Sequence, residues 1–149
     1  MSLIRLATVD DIPRLAPLVA AFHDHHQIEQ SDDDRIAVLT QMLSDDIHAA
    51  IWLIGPPRAP VGYIAVAFGF SIELGGRDAF IDEFFIRPAV RGRGMGSQTL
   101  MALLPMLAQM GVKAIHMEVE RANDAAKRLY TRMGFNARDT YHLMTRILA

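Results

Sequence analysis

Apolar residues recur at helical spacing from Ile12 to Phe22, through Leu15, Ala16, Leu18 and Val19. This pattern predicts an amphipathic helix with one buried face. Asp10 and Asp11 can cap its start, and Pro13 sits in the first turn, where a missing N–H costs little. The pattern lapses over residues 23–27. Ser31-Asp32-Asp33-Asp34 reads as a second helix start, with Ile36, Leu39, Met42 and Leu43 following on one face. Strand-like runs cover residues 3–7, 47–54, 61–70 and 79–87, punctuated by Gly55-Pro56-Pro57, Gly75-Gly76 and Pro88. A helix is expected over residues 96–110, stopped by Gly111, although Pro105 inside it should kink or shorten it. A strand over 113–120, a helix over 123–133 stopped by Gly134 and a last strand over 140–147 complete the chain. The order is β-α-α-β-β-β-α-β-α-β. Three consecutive strands imply antiparallel pairing and the later β-α-β unit a parallel pair, so the fold class is α/β with a mixed sheet and helices on both faces.

Composition narrows the function. The chain has 149 residues, a length that suits one domain over residues 1–149, and 51% of them are apolar. The net charge of −2 gives no reason to expect a nucleic-acid partner. There is no cysteine, which removes disulfides, thiolate catalysis and cysteine-ligated zinc. The first residues lack the apolar core of a signal peptide, and no apolar run approaches the ~20 residues of a membrane span. The expectation is a cytoplasmic protein with no membrane partner.

The strongest chemical signal is Phe84-Phe85-Ile86-Arg87-Pro88-Ala89-Val90-Arg91-Gly92-Arg93-Gly94-Met95-Gly96-Ser97. A strand enters a turn with three glycines at alternating positions, and a helix follows. Glycine lets the backbone approach a ligand with no Cβ in the way. The helix start adds unpaired N–H groups and the positive end of its dipole, and Arg91 and Arg93 add charge. A pyrophosphate fits this chemistry, and a tight turn with solvated arginines is the plain alternative. The spacing matches neither the Walker pattern nor the dinucleotide pattern, because Ser97 stands where the latter needs its third glycine.

Arg91-Gly92-Arg93-Gly94-Met95-Gly96 resembles the Arg/Gln-x-x-Gly-x-Gly/Ala element of the GCN5-related N-acetyltransferase (GNAT) superfamily. The second element, from Met117 through Asn123, Leu129 and Tyr130 to Gly134-Phe135, resembles that superfamily's strand, Asn, helix, Leu-Tyr, Gly-Phe ending. The resemblance implies acetyl-CoA as co-substrate. It implies that Phe85, Ile86 and Arg87 meet the pantetheine arm through their backbone. Arg91, Gly92, Arg93, Gly94, Met95, Gly96 and Ser97 would hold the pyrophosphate. It gives Asn123 a pantetheine contact, beside the plain reading of a helix N-cap. Tyr130, two helical turns after Asn123, would protonate the departing thiolate, with a buried core aromatic as the alternative. Similar enzymes are often homodimers.

Asp82-Glu83 lies on the strand that leads to the loop, and strand alternation sends the two carboxylates to opposite faces. A carboxylate in an aromatic, aliphatic strand needs a partner or a task, and an amine nucleophile that must lose a proton supplies both. The segment Asp82-Glu83-Phe84-Phe85 is similar to the Glu-Asp-Phe-Phe of polyamine N-acetyltransferases with the acids reversed, which leaves open which one faces the cleft; Glu83 is favoured and Asp82 second. Asp24, Glu29, Asp32, Asp33 and Asp34 add an acidic stretch, explained by helix capping or by attraction of a cationic amine. His23 and His26 are one turn apart, but no third ligand with matching spacing is evident, and a solvated helix end is expected rather than a metal. Trp52, Tyr63, Phe68 and Phe70 read as core. The function expected is acetyl transfer from acetyl-CoA to a primary amine of a small, cationic acceptor in a ternary complex. A peptide or protein amine acetyltransferase and a non-catalytic acyl-CoA-binding module are the alternatives.

Overall fold

The computed structural model describes residues 2–44 and 48–149. Strands β2 (Ala49–Ile54) and β3 (Gly62–Ser71) are nearly continuous apolar runs, as expected of strands covered on both faces. They pair antiparallel with each other, β1 (Ile4–Leu6) pairs with β2, and β4 (Gly76–Ile86) pairs with β3. β5 (Val112–His116) joins β4 in parallel, giving the order β1-β2-β3-β4-β5. The expected strand at 47–54 starts at Ala49 among the described residues, and Ile47 lies outside them.

Helices α1 (Ile12–His25) and α2 (Asp32–Ser44) cover one face of the sheet. Leu15, Leu18 and Val19 of α1 and Leu39 of α2 form a core with Ile51, Leu53, Tyr63, Ala65 and Phe85. The alternate residues Trp52, Ile54, Ile64, Val66 and Ile81 are buried on the other face, with Leu100, Leu103 and Leu107 of α3 (Met95–Gln109). Pro105 does not shorten α3, which continues four residues beyond it. Gly111, at φ 85°, then reverses the chain into β5.

Two local expectations change. Asp11 does not cap α1 with its side chain. Its carboxylate accepts from Thr8 N at 2.8 Å and from two nitrogens of Arg5 at 2.9 and 3.1 Å. The start of α2 is capped by Ser31, whose hydroxyl accepts from Asp34 N at 3.1 Å, while Asp32, Asp33 and Asp34 fill the first turn. Phe70 is 81% exposed and is not core, unlike Tyr63 and Trp52.

These elements up to Glu118 form one compact unit, and Val119–Ala149 forms a second. The second unit holds α4 (Asp124–Arg132), ended by Gly134 at φ 94°. Residues 140–147 form no strand. Their alternation suits a pleated edge, but a strand exists only where a neighbour supplies ladder bonds, and they pair with no strand among the described residues.

Candidate active site

The site begins with a break in strand alternation. Ala65 of β3 pairs with Glu83 of β4, but the next residue, Val66, pairs with Ile81. Asp82 is therefore an inserted residue, a β-bulge. Strict alternation from Phe80 would send Asp82 to the face covered by α1 and α2. The bulge resets the phase and gives that face to Glu83 and Phe85 instead, opposite Ala65 and Tyr63. Of the two acids, it is therefore Glu83 that faces α1 and α2.

Glu83 is held at both oxygens. The Tyr63 hydroxyl donates to Oε1 at 2.7 Å, and His23 Nε2 lies 2.8 Å from Oε2. Burial first, and then the charge of Glu83, pushes the Tyr63 phenol far above its ordinary value, so Tyr63 is a permanent donor. The Glu83 side chain is still 18% exposed, and a carboxylate has about four lone-pair sites, so two strong donors leave acceptor capacity for a ligand. Asp82 stays on the surface outside this cluster. Its pKa is raised, by partial desolvation first and by the neighbouring Glu83 charge second.

His23 is not a solvated helix end. It is 6% exposed, and Arg35 Nε donates to its Nδ1 at 3.3 Å. Arg35 is equally buried and also bonds Asp32 Oδ1 at 2.7 Å and the Gln30 carbonyl at 2.9 Å. Sequence reasoning placed His23 at a solvated helix end and passed over Arg35, although the signal was there. His23 follows Val19 by four residues and Leu15 by eight, on the apolar stripe of α1. Arg35 precedes Leu39 by four on that of α2, where Ile36 had been expected inward and is instead 43% exposed. A polar residue on a buried stripe needs a partner. Beside this network, Asp24, Glu29 and Asp32 line a shallow cleft of about 620 Å³ with Ala20, Ile28, Gln30, Ser31 and Arg35. Among the described residues, no group of three or more His, Asp or Glu side chains could hold a metal ion.

A second feature follows along β4. The strand pairs with β5 from Arg77 to Phe80, and beyond the bulge it pairs, among the described residues, with β3 alone. Among those residues, one edge of Phe84, Phe85 and Ile86 thus has no neighbouring strand and can offer backbone groups to an extended ligand. After a short 3-10 turn at Pro88–Val90, the loop reaches α3 through Gly92 at φ 80° and Gly94 at φ 76°, backbone states that favour glycine. The first intrahelical donor at this end, Gln98 N, bonds the Gly94 carbonyl at 3.0 Å. The N–H groups of Met95, Gly96 and Ser97 precede it, without helical partners, at the positive end of the dipole. Arg91 folds back: its Nε donates to the Ile86 carbonyl at 2.8 Å and its guanidinium lies 5.6 Å from the Phe85 ring centroid. Arg93 is exposed. An unpaired strand edge leading to a helix N-terminus suits a ligand with a hydrogen-bonding arm and an anionic end.

The Acetyltransferase (GNAT) family profile matches residues 14–135, most of the chain. The chain belongs to the GNAT acetyltransferase family. The chain is 25% identical over 133 residues to the N-acetyltransferase YhfO of Bacillus subtilis, covering 89% of this chain and 88% of that one. It is also 28% identical over 82 residues to the thialysine N-epsilon-acetyltransferase of Bos taurus, covering 54% of this chain and 48% of that one. Among solved structures, an integron cassette protein from the mobile metagenome of Cole Harbour Salt Marsh matches with a TM-score of 0.85 at 31% identity, over 99% of this chain and 91% of that one. The GNAT family uses acetyl-CoA as its acetyl donor, so this chain is an acetyltransferase enzyme with that co-substrate.

In the second unit, Asn123 is the N-cap of α4, its Oδ1 accepting from Ala126 N at 3.1 Å. Tyr130 is half-buried, its ring 5.8 Å from that of Phe135, and burial raises its phenol above the ordinary value. No helix among the described residues is long and apolar enough to cross a membrane.

Proposed function

We propose that this GNAT enzyme acetylates a primary amine of a small, cationic acceptor, by direct transfer in a ternary complex. The observation that carries the reading is Glu83: a partly exposed carboxylate fixed by Tyr63 and His23, beside an acidic cleft, on the strand that leads to the glycine loop. Support for a small amine also comes from the relative named for the ε-nitrogen of thialysine.

Bound acetyl-CoA supplies an activated thioester carbonyl. In this reading the backbone of Phe85, Ile86 and Arg87 binds the pantetheine arm. The loop and helix start from Arg91 to Ser97 bind the pyrophosphate, and Asn123 adds a pantetheine contact. Glu83 draws the acceptor ammonium in and takes one proton from it, with Asp82 adding negative charge nearby. The neutral nitrogen then forms its bond to the carbonyl carbon, releases its second proton to solvent, and the carbon–sulfur bond breaks. Tyr130 gives its proton to the leaving sulfur, and solvent restores both groups.

A thiol-release assay with acetyl-CoA against polyamines, aminoglycosides, amino acids and peptides tests the acceptor class. Cationic small amines should be the best substrates. Glu83→Gln should reduce the rate most at low pH, where the amine is most protonated, and should leave acetyl-CoA binding nearly unchanged. Preference for anionic or uncharged acceptors, or a fully active Glu83→Gln at every pH, would overturn the acceptor reading.

A further inference from the structure

The proton on His23 can be located from its neighbours. Arg35 Nε carries a hydrogen and no lone pair, and it points at His23 Nδ1 from 3.3 Å. Nδ1 is thereby an acceptor and bears no proton. The single ring proton then sits on Nε2, from which it is donated to Glu83 Oε2 at 2.8 Å. A second proton, on Nδ1, would set N–H against N–H and imidazolium against guanidinium, with both side chains 8% exposed and little water to screen them. Arg35 cannot resolve the conflict by losing its own proton. It is also pinned at its other nitrogens by Asp32 Oδ1 and the Gln30 carbonyl. Among the described residues, the charged and titratable groups around His23 include Arg35 and Asp32 from α2, Glu83 and Asp82 from β4, Tyr63 from β3 and Asp24 beside it in α1. The two β4 carboxylates favour an imidazolium, but its second N–H would have no acceptor, and the hydrogen-bond geometry decides against it.

We propose that Arg35 locks His23 as the neutral Nε2–H tautomer, so that Glu83 is oriented by a hydrogen bond yet keeps its full negative charge for the acceptor amine. His23 and Arg35 are then positioning residues. The inference rests on Glu83 being the acceptor-side carboxylate. An imidazolium in its place would neutralise Glu83 as an ion pair, which makes a carboxylate a weaker base and a weaker ammonium site.

Long-range nitrogen–proton correlation spectra of the whole chain read the tautomer directly. At about pH 7 and at about pH 6, where a free imidazole changes charge, His23 should show a bare Nδ1 and a protonated Nε2. Arg35→Met should allow protonation of Nδ1. It should lower kcat/KM for the amine roughly tenfold at about pH 6, with the KM for acetyl-CoA unchanged. Adding His23→Gln to Arg35→Met should remove this extra pH dependence, because glutamine keeps an N–H for Glu83 and cannot ionise. A protonated Nδ1 in the unmodified chain overturns the proposal, whether or not Arg35→Met folds. So does an Arg35→Met enzyme with an unchanged pH profile. A bare Nδ1 together with a fully active Glu83→Gln upholds the tautomer lock and overturns the acceptor-site role on which it rests.

Discussion

Asp11 and Asp82 show how the same side chain acquires opposite energetics from its surroundings. Arg5 hydrogen bonds hold the Asp11 carboxyl below its ordinary value of 3.8, outweighing its desolvation. Its contribution to stability is complete above the unfolded-state value and is lost as pH falls through the lower folded one. Partial burial and the Glu83 charge raise Asp82 instead, so ionised Asp82 opposes folding at neutral pH, and that cost disappears on acidification. Asp11→Asn should therefore lower the melting temperature near neutrality, whereas Asp82→Asn should raise it. Both differences should shrink as melts are recorded at more acidic pH. A pair of substitutions that shift stability in the same direction would contradict these assignments.

At the scale of elements, the turn into α3 combines two left-handed glycines with a helix N-terminus. Gly94→Ala must hold an L-residue at φ 76°, which costs about 1–2 kcal/mol, and should deform the glycine loop. Gly111 offers a matched control, because its φ of 85° carries a similar penalty at the other end of the same helix. Both alanine variants should lose comparable stability in thermal denaturation. Only Gly94→Ala should weaken acetyl-CoA binding, by roughly tenfold or more, as expected when several backbone donors lose their aim at a pyrophosphate. Calorimetry that gave both variants the same acetyl-CoA affinity would remove the loop from the cofactor site.

For the whole molecule, the proposed reaction also needs an acid, and the residue proposed for that role is Tyr130. The Tyr130 phenol is kept protonated well past neutrality by burial, a condition for service as an acid. Tyr130→Phe removes that proton and little else. Turnover should fall by ~10²–10⁴-fold while acetyl-CoA affinity and the melting temperature stay close to those of the unmodified chain. Wild-type turnover in this variant would assign protonation of the thiolate to water or another group.

Local chemistry determined much of the molecule from sequence. Strand and helix order follow from the period of apolar positions in α1, β2 and β3. The glycine loop follows from backbone freedom at Gly92 and Gly94, and the Asn123 cap from a short side chain that reaches its own helix. Such features need only neighbours along the chain. The strand expected at 140–147 did not form, because alternation is a local property and ladder pairing is not. Tertiary structure alone decided that Glu83, rather than Asp82, joins the buried network. One inserted residue in β4 shifts the register against β3, and no count along a single strand detects an insertion defined by its partner. It also decided the partners of His23 and Arg35, which lie 12 residues apart on two helices and 60 and 48 residues from Glu83. Their side chains meet only once α1 and α2 pack on the sheet, where burial removes water and leaves each polar atom to find its partner in the protein.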